Sequence, residues 1–169
     1  VFAGDGAEVG RLLDLEIKLT VTVGRDERLR RAIEAAALKT GPERGRRIEI
    51  VGWTDQLPLM LCASHLLIGK AGGATVQETI AARCPMIINH IVSGQEEGNA
   101  RLITETNSGA IALSPDAAVA EVQRALSDAA RHWRAWQANR TEHSRPRASL
   151  GISHSLVCLL VVRPPERTR

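Results

Sequence analysis

A chain of 169 residues and 18.3 kDa has the length of one ordinary domain. With 44% hydrophobic and 24% charged residues it has the balance of a folded globular protein rather than a disordered one. Only 2% of residues are aromatic and none is Tyr, which excludes an array of rings for stacking bases; the longest apolar run, 156–162, is far short of the roughly 20 residues a membrane-spanning helix needs.

The charge is unevenly placed. The net value is +3, but residues 140–169 alone carry +4, leaving −1 on residues 1–139. A nucleic-acid-binding domain sets a basic stripe on its own folded elements, so no nucleic-acid partner is expected. Cys62, Cys84 and Cys158 are widely spaced and form no C-x-x-C pair, which points to buried reduced thiols in a cytoplasmic protein rather than a zinc site or disulfide framework. The five His lack ligand spacing, so no metal is expected. The chain starts at Val1 without a leader pattern and reads as a piece of something longer.

Along the chain, residues 17–23 alternate Ile17, Leu19, Val21 and Val23 with polar neighbours, the period of a strand. Residues 26–39 place Leu29, Ala32, Ile33, Ala36 and Ala37 at helical spacing, stopped by Gly41-Pro42. Strands are predicted at 47–51, 65–69, 85–89 and 110–113, and helices at 57–63, 75–82, 96–105 and from Ser114 to about 141. Ser114-Pro115-Asp116 carries a cap, a first-position proline and a first-turn acid. Strand–helix alternation with short loops predicts an α/β fold, a Rossmann-like parallel sheet with helices on both faces. Beyond 145 the pattern changes: residues 151–162 are apolar without a clear period, fitting an edge strand, a poorly ordered tail or sequence foreign to the domain.

In such sheets ligands settle at the carboxyl ends of the strands, where loops feed helix N-termini. Three loops there carry chemistry. In Gly69-Lys70-Ala71-Gly72-Gly73-Ala74-Thr75-Val76-Gln77-Glu78 two glycines let the backbone approach an anion, and the next helix offers free N–H groups and its positive dipole end. Thr75 could add a hydroxyl, and Glu78 could accept from two ribose hydroxyls. Thr75 through Glu78 equally fits a capping box, in which Glu78 merely bonds the backbone at the helix start. Ser93-Gly94-Gln95-Glu96-Glu97-Gly98-Asn99 sets amides beside carboxylates, which suits sugar hydroxyls, although first-turn acids also serve as dipole partners. In Gly52-Trp53-Thr54-Asp55 the indole could lie beside a base or simply pack in the core.

Other patterns say less. The glycines of 4–10 miss G-x-G-x-x-G by one residue and follow no strand. A Walker loop, a nucleophile elbow, H-E-x-x-H and D-x-D are all absent from the sequence. Trp133 and Trp136, three apart among arginines, suit packing against the sheet or contact with an anionic membrane.

With these residues in view, the stretch 19–139 resembles the C-terminal domain of family 28 glycosyltransferases of GT-B architecture. The peptidoglycan lipid-intermediate N-acetylglucosaminyltransferase and the diacylglycerol galactosyl- and glucosyltransferases are members of this group. The resemblance rests on Val23-Gly24-Arg25, on Val51-Gly52-Trp53-Thr54-Asp55 before Leu57-Pro58, on Gly69 to Gly73 through Glu78, and on Gly94-Gln95-Glu96-Glu97-Gly98-Asn99. It implies that Gly72, Gly73 and Thr75 hold a UDP diphosphate with Lys70 or Arg25 nearby for charge, and that Glu78 binds the ribose. It further implies that the backbone at Thr54, flanked by Trp53, reads uracil, and that Gln95 and Glu96 hold donor-sugar hydroxyls with Asn99 close behind.

On this reading residues 1–145 are the nucleotide-sugar donor domain, with its first strand truncated, and 146–169 a divergent basic tail. The domain would work without a metal, and alone would bind UDP-sugar weakly and transfer nothing. The acceptor site and general base would lie in an N-terminal domain, and the full-length enzyme would sit peripherally at the inner face of a membrane. A UDP-sugar 2-epimerase fragment, a non-catalytic Rossmann-like nucleotide-binding module and an interaction fragment in which the glycines only make turns remain alternatives.

Overall fold

Successive side chains of a strand face opposite ways, and in this chain residues 66–68 and 86–88 are buried and apolar on both faces. The computed structural model describes residues 7–143 and 160–163. In order these form α1 (Ala7–Leu13), β1 (Lys18–Gly24), α2 (Glu27–Lys39), α3 (Pro42–Gly45), β2 (Ile48–Gly52), α4 (Leu57–Cys62) and β3 (Leu66–Lys70). There follow α5 (Gly73–Ala81), β4 (Met86–His90), α6 (Glu97–Glu105), β5 (Gly109–Ile111), α7 (Pro115–His143) and β6 (Leu160–Arg163). The six strands make one sheet in the order β2-β1-β6-β3-β4-β5.

Two cores lie on opposite sides of this sheet. Leu66, Ile68 and Ile87 face Val9, Leu12 and Leu13 of α1, Ile33 of α2 and Ala118, Val122 and Trp136 of α7. Leu67, Met86 and Ile88 face Leu61 of α4, Val76 of α5 and Ala100 and Ile103 of α6. The expected helix-covered parallel sheet is therefore present: β1 runs parallel to β2, and β3, β4 and β5 run parallel to one another. β1 is buried along Leu19 to Val23, Thr20 and Thr22 included, so its alternation marks an interior strand rather than a half-exposed one.

β6 is the addition. It pairs antiparallel with both β1 and β3, with Val161 opposite Thr20 on one side and Leu67 on the other. Of the late apolar stretch, 160–163 thus form an interior strand and not an edge; the rest of the tail, 144–159 and 164–169, lies outside the described residues. Because β6 is antiparallel to both neighbours, β1 and β3 point the same way, and the carboxyl ends of all five parallel strands share one edge. The chain winds outward from β1 to β2 on one side and from β3 to β5 on the other. Loops leaving β1 and β3 therefore diverge on either side of β6, at the reversal point where sheets of this kind bind ligands.

Local chemistry sets the helix limits. Asp26 Oδ1 accepts the Leu29 N–H at 2.9 Å, and Ser114 Oγ accepts that of Ala117 at 3.2 Å, as side chains at helix starts do. Gly41, at φ 86°, follows α2 in a conformation costly to other residues. α1 falls where the sequence pattern predicted no element, and its Leu12 and Leu13 are drawn wholly into the core. Cys84 is buried as expected, whereas Cys62, at the end of α4, is exposed; Cys158 lies outside the described residues. Both indoles near the end of α7 serve packing: Trp136 is buried, and Trp133 Nε1 donates to the His65 carbonyl. Arg140 is wholly buried, its guanidinium has no hydrogen-bond partner among the described residues, and burial lowers its pKa to about 10.

α7 contains a break. Ala129 and Ala130 have φ of 54° and 59°, the left-handed region, which costs an L-residue about 1–2 kcal/mol. Ala130→Gly is expected to raise stability by up to ~1 kcal/mol, the relieved strain being partly offset by glycine's unfolded-state entropy. Ala125→Gly, in the regular and buried part of the same helix, should lower it by about 1 kcal/mol. Urea unfolding of the two variants checks the opposite signs.

Candidate functional site

Valine, isoleucine and leucine before Gly24, Gly52, Lys70 and His90 commit those stretches to parallel strands, so the polar loops after them must emerge at the carboxyl edge. α5 begins at Gly73 with Gly72 as its N-cap, extended at φ −64° and ψ 138°. The first intrahelical bond is Val76 N–H to Gly72 O at 2.9 Å, so the N–H groups of Gly73, Ala74 and Thr75 have no helical acceptor. The helix starts two residues earlier than its sequence pattern predicts. Thr75 therefore lies inside the first turn, 2% exposed, and is not a cap. Glu78 is then too deep in the helix to reach back to the N-cap, and the capping-box reading of Thr75 through Glu78 does not hold. Glu78 is half-buried, and that burial pushes its carboxyl above the usual carboxylate value.

Around this helix start the fold gathers residues from two strand ends. Lys70, the last residue of β3, places Nζ 2.8 Å from Glu96 Oε1. Glu96 Oε2 accepts the Val92 N–H at 2.9 Å, and Asn99 Nδ2 donates to the Ala71 carbonyl at 2.9 Å, tying the loop after β4 to the loop after β3. A methyl group at Gly72 would lie 3.5 Å from Lys70 Cε, 3.7 Å from Glu96 Oε1 and 3.8 Å from Thr75 Oγ1; one at Gly73 would lie 3.6 Å from Asn99 Nδ2. Lys70, Gly72, Gly73, Thr75, Glu96 and Asn99 thus form one polar cluster at the start of α5.

Glu96 is only 6% exposed. Burial alone would raise its pKa, but the hydrogen bonds from Lys70 and from Val92 N–H, with the charges of Lys70 and His90, outweigh this and hold it below the usual value. Its neighbour Glu97 is exposed and accepts the Gly94 N–H at 2.6 Å, which lowers its pKa too.

A second group lies at the carboxyl ends of β1 and β2. The Arg25 guanidinium sits 5.9 Å from the centroid of the Trp53 ring, and Trp53 is 54% exposed, so this indole is not a core residue. The Thr54 hydroxyl accepts the Gln56 N–H at 3.0 Å and shapes the turn into α4. Gln95 is exposed on the loop before α6. The two groups flank the reversal point on the same edge of the sheet. Three contributors were not foreseen from the sequence: the Val92 N–H, the Ala71 carbonyl and His90. They act through backbone or through charge and leave no side-chain spacing to read. Among the described residues no group of three or more His, Cys, Asp or Glu could hold a metal ion.

A doubly wound α/β sheet with an open helix start, a lysine and paired acid and amide side chains at its carboxyl edge defines a Rossmann-like domain. The Glycosyltransferase family 28 C-terminal domain matches residues 7–154, and the chain belongs to that family. It is 30% identical over 98 residues to monogalactosyldiacylglycerol synthase 2 of Arabidopsis thaliana, covering 58% of this chain and 20% of that protein. Against the monogalactosyldiacylglycerol synthase of Spinacia oleracea it is 26% identical over 139 residues, 82% of this chain and 26% of the relative. The processive diacylglycerol beta-glucosyltransferase of Staphylococcus carnosus shares 28% identity over 113 residues, 67% and 28% of the two chains. The chain spans about a quarter of the length of these relatives.

The depressed Glu96 pKa ties stability to pH. A carboxyl whose folded pKa lies below its unfolded one stabilises the fold above the unfolded value, and that contribution is lost as pH falls through the folded value. Lys70→Met should cost about 1–2 kcal/mol at neutral pH, less than a fully buried pair because Lys70 is part-exposed. The gap to wild type should close below the ordinary carboxylate range, as followed by denaturant unfolding across pH.

Proposed function

We propose that this domain binds the nucleotide-sugar donor of a hexosyltransferase, a UDP-sugar, whose sugar passes to a diacylglycerol or other lipid-linked acceptor. The observation that carries the reading is the open start of α5 under Lys70, with Glu96 and Asn99 beside it, in a chain of this family. The diphosphate lies against the N–H groups of Gly73, Ala74 and Thr75, where the helix dipole and oriented donors favour negative charge. Loss of the sugar leaves that charge on UDP, and donors fixed in advance stabilise it as it develops. Lys70, and Arg25 from the end of β1 across β6, supply positive charge. Glu78 accepts from the ribose hydroxyls, the backbone at Thr54 reads the uracil edge beside Trp53, and Gln95, Glu96 and Asn99 meet the sugar.

No metal is required in this arrangement, since backbone donors and cationic side chains neutralise the diphosphate. The acceptor pocket and the base that deprotonates the acceptor belong to a separate N-terminal domain of the full-length enzyme. A lipid acceptor implies peripheral attachment at the cytoplasmic face of a membrane. Among the described residues no helix is long and apolar enough to cross one.

Calorimetry with UDP tests the ribose role. Glu78→Ala should weaken UDP at least about tenfold, the loss of hydrogen bonds to a charged acceptor being worth ~1.5–3 kcal/mol. Only an ionised Glu78 accepts both hydroxyls, and its pKa is raised. Wild-type affinity should therefore fall with pH from above the ordinary carboxylate range, and Glu78→Ala should lack that component. Equal UDP affinity in the two proteins would remove Glu78 from the ribose.

A further inference from the structure

We propose that Lys70 is shared between Glu96 and the donor diphosphate, so that arrival of the nucleotide releases Glu96 to accept a sugar hydroxyl. The proposal rests on the donor reading of this same site and goes beyond it by assigning an order to its interactions. Glu96 is occupied on both oxygens, Oε1 by Lys70 Nζ at 2.8 Å and Oε2 by Val92 N–H at 2.9 Å. Its side chain is 8% exposed and that of Lys70 is 29% exposed. The carboxylate is thus held while the ammonium keeps access to the edge of the sheet.

The pair also stands over the helix start. A methyl group at Gly72 would meet Lys70 Cε at 3.5 Å and Glu96 Oε1 at 3.7 Å, so the position that favours an anion already has a carboxylate beside it. A diphosphate entering there places two anions around one lysine. The diphosphate carries the greater charge and lies nearer the exposed end of Lys70, so Nζ turns to it. Glu96 cannot follow, because Val92 N–H anchors Oε2 and burial confines the side chain. Oε1 then faces the diphosphate without its cation, and the contact is repulsive unless a donor stands between them. The hydroxyls of a hexose on the β-phosphate are such donors, and UDP alone has none at that place. Lys70 therefore binds the diphosphate at the expense of its pair with Glu96, and Glu96 favours the sugar-bearing donor over the spent nucleotide. This helps product leave.

The test measures binding of UDP, UMP, UDP-glucose and UDP-galactose by calorimetry, with thermal unfolding as the check on folding. Wild type is expected to bind at least one UDP-hexose more tightly than UDP. Glu96→Gln, which removes the charge and keeps the shape, is expected to tighten UDP about three- to tenfold and to bring the UDP-hexose to UDP ratio toward one. A purely structural ion pair would move the melting temperature and leave that ratio unchanged. Lys70→Gln is expected to weaken UDP by about tenfold with UMP unchanged, and Lys70→Arg to restore UDP binding. If wild type binds UDP but Glu96→Gln leaves both UDP affinity and the ratio at wild-type values, the shared lysine is overturned while the donor site stands. Equal weakening of UMP and UDP by Lys70→Gln overturns it in the same way. If wild type binds neither UDP nor a UDP-hexose, the donor reading itself fails and this proposal with it.

Discussion

Three backbone N–H groups at the start of α5 have no helical acceptor, and the fold fixes where they face. β3 before them is buried on both sides, and Val76, Thr75 and Thr79 of α5 are buried after them, so the turn between has almost no freedom. Helix dipole and oriented donors therefore meet at one place on the carboxyl edge of the sheet. Lys70, the Asn99 anchor on Ala71 and the buried Glu96 all take their positions from that turn.

The sheet supplies the leverage. Leu67 and Met86 face one core while Leu66, Ile68 and Ile87 face the other, and shifting β3 or β4 by one residue would exchange the two sets. Such exact registration is what lets Lys70, at the end of β3, and Glu96, at the start of α6, meet at hydrogen-bond distance. The reversal point arises from the same winding, because the chain moves outward in opposite directions from β1 and from β3. β6 lies between them and runs against both, so the parallel strands on the two sides are joined through an antiparallel one.

Much of this was legible in the sequence because it rests on local signals. Periodic apolar residues mark the strands and helices, and Asp26 and Ser114 mark helix starts by side chains that do bond the backbone. Glycines misled in two places. Gly72 and Gly73 read as a turn, yet Gly73 is already helical; the glycines of 4–10 hid α1, which is held by Leu12 and Leu13 in the core. The interior position of β6 depends on pairing with segments far away in sequence, for which residues 160–163 carry no local mark. For the site, the loops and their residue types were readable, but that Glu78 does not cap its helix was not, since this depends on where the helix begins. Nor could the sequence reveal that Lys70, which ends β3, and Glu96, which precedes α6, share one ion pair, since it exists only once β3 and β4 stand side by side.

Whether the open start of α5 receives a diphosphate is tested most directly by amide chemical shifts, followed by nuclear magnetic resonance during titration with uridine diphosphate. The largest saturable shifts are expected at Gly73, Ala74 and Thr75. Binding that left these three amides unmoved while perturbing another part of the edge would contradict that role.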